Sequence, residues 1–334
     1  MAEWLYEAGI GEARAALVEH GEIVELLIEL EGDGALRAGA VLDARLTRKA
    51  DATGRGLVVL TGGEEATLDP VPPGLTEGAT IRVEVVREAL PERGRTKPPR
   101  VRAAPADRPV GPGPSLHDRI AASGLRVVRL LPHEPDRLEE AGWSERLEEA
   151  MTGDFAFPWG ALRMDITPAM TLFDVDGALG RAELARAGAE AAGQAIRRLD
   201  IGGSIGIDLP TLSSKADRQA AAAALDDALP PPFERTAVNG FGFLQIVRRR
   251  TRPSIPELLM ADSAAAAARA LLRRAERAKG VGSRTLIANP QVIHAIEREP
   301  QWPPTLAGRI GAPVILRPDP ALAISAGHVE TDHP

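Results

Sequence analysis

Apolar and polar positions alternate with a period of two over much of the first hundred residues, and the runs are short. Residues 15–18 and 23–30 are apolar-rich on either side of His20-Gly21, which predicts a hairpin. Further runs at 41–46, 57–60 and 81–86 are separated by Gly-bearing turns, and Thr67-Leu68 opens another. Short strands at that spacing predict a small barrel of the OB type, an architecture suited to oligonucleotides. The pattern breaks between 91 and 114, where Pro91, Pro98, Pro99, Pro105, Pro109, Pro112 and Pro114 fall among Arg93, Arg95, Lys97, Arg100 and Arg102. Charge and proline alone make that stretch a solvated linker. Beyond residue 125 strand-like runs at 127–131, 162–166, 170–175, 204–208 and 243–248, and a last one at 314–317, alternate with helical patterns at 181–199, 215–229, 263–279 and 290–299. That alternation predicts an α/β (α+β) core. No internal repeat is visible.

Composition changes this picture little. At 334 residues the chain is long enough for two or three domains, and 44% hydrophobic with 26% charged residues is ordinary for a globular protein. Aromatics are only 3%, so the core must rest on aliphatic residues and alanine. The absence of cysteine excludes disulfides and thiolate sites. No apolar run reaches the ~20 residues a membrane span needs, and Glu3, Glu7 and Glu12 interrupt the start where a signal peptide would be apolar. A cytoplasmic protein with no membrane partner is therefore expected. The net charge of −7 does not exclude nucleic acid, because basic residues cluster at 93–102 and 248–252.

Two segments carry candidate chemistry. In Phe173-Asp174-Val175-Asp176-Gly177 two acids stand two apart, hence on one face of a strand, at its end. In Ile205-Gly206-Ile207-Asp208-Leu209 another acid closes an apolar run. Any one of these is ordinarily a cap or strand-end residue. Together, acids closing adjacent strands can share a hard divalent ion, which wants carboxylate oxygens and keeps several waters. Such an ion can activate water and neutralise charge on a phosphodiester. A third segment, from Asn239 to Val247, runs into Arg248-Arg249-Arg250-Thr251-Arg252, a phosphate-contacting edge or a solvated charge run. Gly202-Gly203-Ser204-Ile205-Gly206 matches the G-x-S-x-G pattern, but the apolar strand continues past Ser204, so no nucleophile elbow is expected. The six histidines have no metal-ligand spacing, and no P-loop or dinucleotide fingerprint is present.

Taken together, the segments resemble the ribonuclease E/G family. Thr167-Pro168-Ala169-Met170-Thr171-Leu172-Phe173-Asp174-Val175-Asp176 is similar to the family's T-E-A-M/L-T-x-[IV]-D-[IV]-N block. The segment from Leu199 to Asp208 resembles its L-R-N-[IL]-G-G-x-I-x-I-D block. Thr236-Ala237-Val238-Asn239-Gly240-Phe241, with the arginine run and Ser254-Ile255, resembles its T-S-V-N-G-F and R-x-R-T-R-x-S-[IL] blocks. Weaker likenesses lie at 22–102, at Asn289-Pro290-Gln291-Val292 and at 317–322.

The resemblance implies a core of RNase H-like/DNase I-like type with an inserted OB-type barrel and a small C-terminal α/β domain. The corresponding boundaries are 1–30 for the first core strands, 31–102 for the barrel, 103–125 for a Pro-rich connector, 126–258 for the catalytic core and 259–334 for the C-terminal domain. It implies Mg²⁺, with Mn²⁺ as the alternative, on Asp174 and Asp208, with Asp176 assisting where the family has Asn. Arg95, Lys97, Asn239, Arg248, Arg250 and Arg252 would contact RNA. The implied activity is endonucleolytic cleavage of single-stranded RNA by metal-activated water, leaving 5′-phosphate and 3′-hydroxyl ends.

Departures qualify it. Met260-Ala261-Asp262-Ser263 stands where the family has its Cys-Pro-x-Cys zinc link, so no zinc is expected, and a homodimer replaces the family's tetramer as the expected assembly. Residues 103–125 are too few for the family's 5′-monophosphate sensor. The second acid of I-D-F-I-D-M is lost in Ile207-Asp208-Leu209-Pro210-Thr211-Leu212, and the aromatics of the barrel's RNA face are missing. The rivals are an RNA-binding protein whose catalysis has decayed and, behind it, a scaffold with no RNA role.

Overall fold

A computed structural model describes residues 2–32, 36–49, 51–92 and 94–333; Arg93 of the first basic cluster lies outside them. The chain is a mixed α+β protein containing a closed five-stranded barrel.

The chain opens with a meander. Strands β1 (Glu3–Ala8), β2 (Glu12–Glu19) and β3 (Glu22–Leu30) pair antiparallel. The β2–β3 turn is His20-Gly21, with φ of 54° and 88°. Two positive φ values match the twist of a two-residue hairpin, and glycine takes one at no steric cost. β1 is a strand the sequence reading missed.

The barrel follows. Strands β4 (Val41–Arg48), β5 (Gly56–Leu60), β6 (Glu65–Leu68) and β7 (Thr80–Arg87) are joined, after the short hairpin β8 (Leu90–Glu92) and β9 (Arg95–Lys97), by β10 (Arg100–Ala103). The order is β10-β6-β5-β4-β7, and β10 closes the barrel by pairing parallel with β6 and antiparallel with β7. Inward positions such as Leu46, Val58, Leu68, Val83 and Val101 are fully buried. This corrects the linker reading of 91–114: its first part forms a hairpin and the closing strand, because Val101 buries its side chain among those residues while the arginines beside it face out. Thr67-Leu68 ends a strand rather than opening one.

Helix α1 (Leu116–Ala121), with a Ser115–Asp118 capping box, lays Leu116 and Ile120 on Trp4, Ala15 and Leu17. Strand β11 (Arg126–Arg129) then pairs parallel with β1. After α2 (Arg137–Glu140) and α3 (Trp143–Thr152) comes the central sheet. It comprises β12 (Asp154–Phe157), β13 (Gly160–Ile166), β14 (Thr171–Gly177), β15 (Gly203–Asp208), β16 (Phe233–Arg235) and β17 (Phe243–Arg248), in the order β12-β13-β14-β15-β17-β16. Only β14 and β15 run parallel, joined by the Ala-rich helix α4 (Arg181–Arg198). One face of this sheet is covered. Phe173, Val175, Ile205, Ile207, Leu244 and Ile246 belong to one buried cluster with Ala185, Ala189 and Ile196 of α4 and with Ile23 and Leu26 of the meander. Helix α5 (Lys215–Ala228) packs outside α4.

Helix α6 (Ile255–Ala261) leads into α7 (Ser263–Arg277), β18 (Val281–Ala288), α8 (Pro290–Glu297), α9 (Trp302–Ile310), β19 (Val314–Pro318) and β20 (His328–His333). Their sheet has the order β19-β18-β20. Four of these elements, α6, β18, α9 and β20, were not anticipated, and 314–317 is not the last strand. Helix α9 escapes notice because Pro303-Pro304 reads as a break, yet it falls in the first turn, where no backbone donor is needed.

Arg269, Arg273 and Arg277, four apart on α7, dock on the meander through charge. Arg273 Nε and Arg14 Nη1 each donate to Glu7 Oε1 at 2.7 Å, and Arg277 Nη2 donates to Glu7 Oε2 at 2.6 Å. Arg14 Nε and Arg269 Nε donate to the two oxygens of Glu12 at 2.7 Å. Arg14 is only 1% exposed, so every charge here depends on its partners.

Candidate functional site

Register decides where the acids lie. In the parallel β14–β15 pair, Asp174 stands directly opposite Asp208. Their chain neighbours Phe173, Val175 and Ile207 point into the core, so both aspartates project from the uncovered face, and both are exposed. Neighbouring strands are ~4.8 Å apart, which brings two like charges side by side. Asp176 shares the face two residues further along β14, opposite Ala161. None of the three carboxylates has a hydrogen bond or ion pair among the described residues. The same row continues through Arg163, opposite Asp174, to Asp154, whose carboxylate accepts from Arg163 Nε at 3.4 Å.

The floor beside the acids is kept low. Gly206 lies between Leu172 and Gln245, and a Cβ there would meet the Phe243 ring at 2.5 Å. At the same end of the sheet the Asn239 loop turns back. Asn239 Oδ1 accepts from the Phe241 and Phe243 amides at 2.9 and 3.0 Å, so this side chain builds the loop. Gly242, at φ 99°, leaves no room for a Cβ against the Leu209 carbonyl oxygen, whose own amide donates to the Gly242 carbonyl.

Two exposed aromatics flank the acids, and sequence reasoning passed over both. Phe241, 84% exposed, tips the Asn239 loop; Trp159, 76% exposed, sits in the β12–β13 turn, where its carbonyl accepts from the Ala178 amide just past β14. The signal available in the sequence was a large apolar residue inside a turn, Pro158-Trp159-Gly160 and Gly240-Phe241-Gly242. A groove of about 460 Å³ between α5 and the segment after β16 is lined by Lys215, Arg218 and Arg235, also unremarked in the sequence.

The arginine run is at the other end of the sheet. Arg248 pairs with Gly203 at the start of β15, five residues and ~17 Å from Asp208. Three of its arginines are engaged internally: Arg248 with Asp200 at 3.2 Å, Arg252 with Asp200 at 3.7 Å, and Arg250 with Glu257. Arg249, not singled out from sequence, is exposed and has no ion pair among the described residues. Arg95 and Lys97 are exposed on β9 and both face Glu92, at 2.8 and 3.7 Å. Nearby, burial and then the charges of Arg100 and Arg250 push the Arg87 guanidinium down to about 10. The fold thus gathers Asp174, Asp176, Asp208 and Asn239 at one end and the arginine run, with Arg95 and Lys97, at the other, beside the barrel.

Mg²⁺ is characteristically held by one or two carboxylates with water and substrate phosphate. A register-opposed, unpaired carboxylate pair fits that requirement, because like charges directly opposite destabilise a sheet unless something lies between them. Among the described residues, no group of three or more acids or histidines stands together as a closed ligand set. Ser204 lies inside β15, opposite Val247, and does not occupy a turn. No helix among the described residues is long and apolar enough to cross a membrane. Compared with known proteins, the chain matches no family model and no curated protein.

Proposed function

We propose that the chain is a divergent, reduced member of the ribonuclease E/G family that cleaves single-stranded RNA. The observation that carries this is the Asp174–Asp208 pair, unpaired and side by side on an open sheet face. In this reading the central sheet is an RNase H-like/DNase I-like core, and the closed barrel with its parallel β6–β10 pair is the OB-type module expected between residues 31 and 102.

Asp174 and Asp208 would hold the divalent ion, and Asp176, two residues further along β14 on the same face, would assist through the ion's bound water. The ion, when bound, supplies an acidified water and neutralises phosphodiester charge. Phe241 and Trp159 offer stacking platforms on either side of the acids, each worth ~1–3 kcal/mol per base. Gly206 and Gly242 keep the floor low and the loop closed so that the strand can lie across the row. Arg249, Arg95 and Lys97 bear on the backbone further along. The test is cleavage of an AU-rich single-stranded RNA with Mg²⁺ and with EDTA, with the product ends identified. Metal-dependent products carrying 5′-phosphate and 3′-hydroxyl support the reading; metal-independent cleavage, or 2′,3′-cyclic ends, sinks it.

Arg163 favours a second reading. A guanidinium in the row beside Asp174 can offset the acid's charge without a cation, which suits an RNA-binding protein that no longer cleaves. Salt-sensitive RNA binding without metal-dependent cleavage is its signature.

A further inference from the structure

The acids have a basic neighbour at their own end of the sheet. The groove of about 460 Å³ between α5 and the segment after β16 falls within the ~300–1,000 Å³ of ordinary ligand clefts. Lys215, Arg218 and Arg235 line it, with Ala222 of α5 and Ala237 opposite, and among the described residues no acid does. In a chain of net charge −7, a concave surface whose charged lining is all cationic is complementary to an anion. It is also continuous with the acid site. Residues 209–214 carry the chain from Asp208 directly to Lys215, and Ala237-Val238 leads into the Asn239 loop. Thr211 Oγ1 donates to the Phe241 carbonyl oxygen at 3.2 Å, tying those two loops together.

Two of the three cations are left to meet a ligand. Arg235 is neutralised: its Nε and Nη2 both donate to the Asp226 carboxylate, and its Nη1 to the Thr236 carbonyl. Lys215 is exposed and makes no hydrogen bond or ion pair among the described residues. Arg218 is half-buried, and its Nη1 donates to the Leu212 and Ser213 carbonyl oxygens at 2.7 and 3.1 Å. Those bonds pin the guanidinium to the loop that leaves Asp208, yet it has no ion pair among the described residues, so its charge is placed but not offset. A guanidinium held in position loses less freedom when it grips a phosphate than a free one does.

We propose that this groove receives the backbone of the single-stranded RNA once it has crossed the acids and Phe241, with Lys215 and Arg218 donating to its phosphates. The proposal rests on the nuclease reading and adds a second phosphate track to it. The exposed Phe241 ring on the adjoining loop favours RNA over an acidic peptide, because a base stacks on it. The acids then lie within the bound strand rather than at its end, with the groove on their own side and the arginine run ~17 Å away on the other. A strand gripped on both sides presents an internal phosphodiester to Asp174 and Asp208, which is what endonucleolytic cutting requires.

Fluorescence anisotropy on the full chain tests it, with a labelled RNA of ~16 nucleotides in divalent-free buffer over a range of salt concentrations. Lys215→Gln and Arg218→Gln should each weaken binding about threefold to tenfold and flatten the slope of log affinity against log salt by ~0.7, the share of one phosphate contact on a single strand. Lys279→Gln, at an exposed lysine in the C-terminal domain, should change neither and controls for net charge. Should Arg218→Gln fail to fold, Lys215→Glu carries the test, since Lys215 makes no contact that the fold needs; its loss of affinity should exceed that of Lys215→Gln. Affinity and salt slope unmoved by both Lys215 substitutions overturn the groove and leave the acid-pair reading standing. An unaltered chain that binds no RNA overturns both. Displacement of the RNA by polyglutamate of equal charge, as effective as by unlabelled RNA, overturns the assignment of RNA to the groove.

Discussion

Glu7 is the residue on which the meander and α7 most depend. Burial by itself would raise its pKa, but Arg273, Arg14 and Arg277 outweigh that and bring it to about 2, from an ordinary 4.5. A folded-state pKa below the unfolded value means stability that is present above pH ~4.5 and lost as pH falls towards ~2. The loss is on the order of 3 kcal/mol. Urea midpoints measured at pH 7, 4 and 3 should fall accordingly, and Glu7→Gln should flatten that dependence. At pH 7 the same variant leaves Arg273 and Arg277 underpaired and should cost about 3–5 kcal/mol; a cost below ~1 kcal/mol would show that the network is not closed as described. None of this was legible in the sequence, where Glu7 served only as a charge interrupting an apolar start. Two of its three partners, Arg273 and Arg277, lie more than 260 residues away on α7, and no local pattern announces them.

Elements whose own periodicity decides their state were legible, and those decided by distant partners were not. The hairpin at His20-Gly21, strands β13 to β15, α4 and α5 came through because alternation or alanine-rich helical spacing matched their burial. β10 was hidden among prolines and arginines, since a single inward Val101 suffices to close a barrel. β18 begins Val281-Gly282-Ser283, too weak a start to read. The acid site was half legible: strand ends bearing aspartate were visible, but the register placing Asp174 against Asp208, and the ~17 Å separating the arginine run from them, belong to the sheet. Register yields a prediction at this scale. In divalent-free buffer, Asp208→Asn removes a cross-strand repulsion and should raise stability by ~0.2–1 kcal/mol, the gain shrinking as salt is added. Destabilisation in that buffer would mean the two acids do not face each other. Leu46→Ala, fully buried in the barrel, should cost about 2–5 kcal/mol in thermal or urea unfolding.

For the molecule as a whole, the proposed function assigns chemistry to one end of the central sheet and backbone charge to the other. RNA affinity should decline steeply with salt through Arg249, Arg95 and Lys97, while Phe241→Ala should weaken it by ~1–3 kcal/mol with the salt slope unchanged. A Phe241→Ala variant that binds normally would remove the stacking role. Residues 103–125 form α1 and an extended connector rather than a domain of their own, so cleavage should not distinguish 5′-monophosphate from 5′-hydroxyl RNA; a large 5′-monophosphate preference in paired assays would contradict that. The most direct test of the account is Mg²⁺-dependent cleavage of a fluorescent single-stranded RNA by the unaltered chain, Asp174→Ala and Asp208→Ala, with RNA binding measured on all three. The account predicts cleavage by the first alone, abolished by EDTA, with binding retained throughout. Cleavage that persists in either variant, or no cleavage by the unaltered chain at high concentration while it binds RNA, would contradict it.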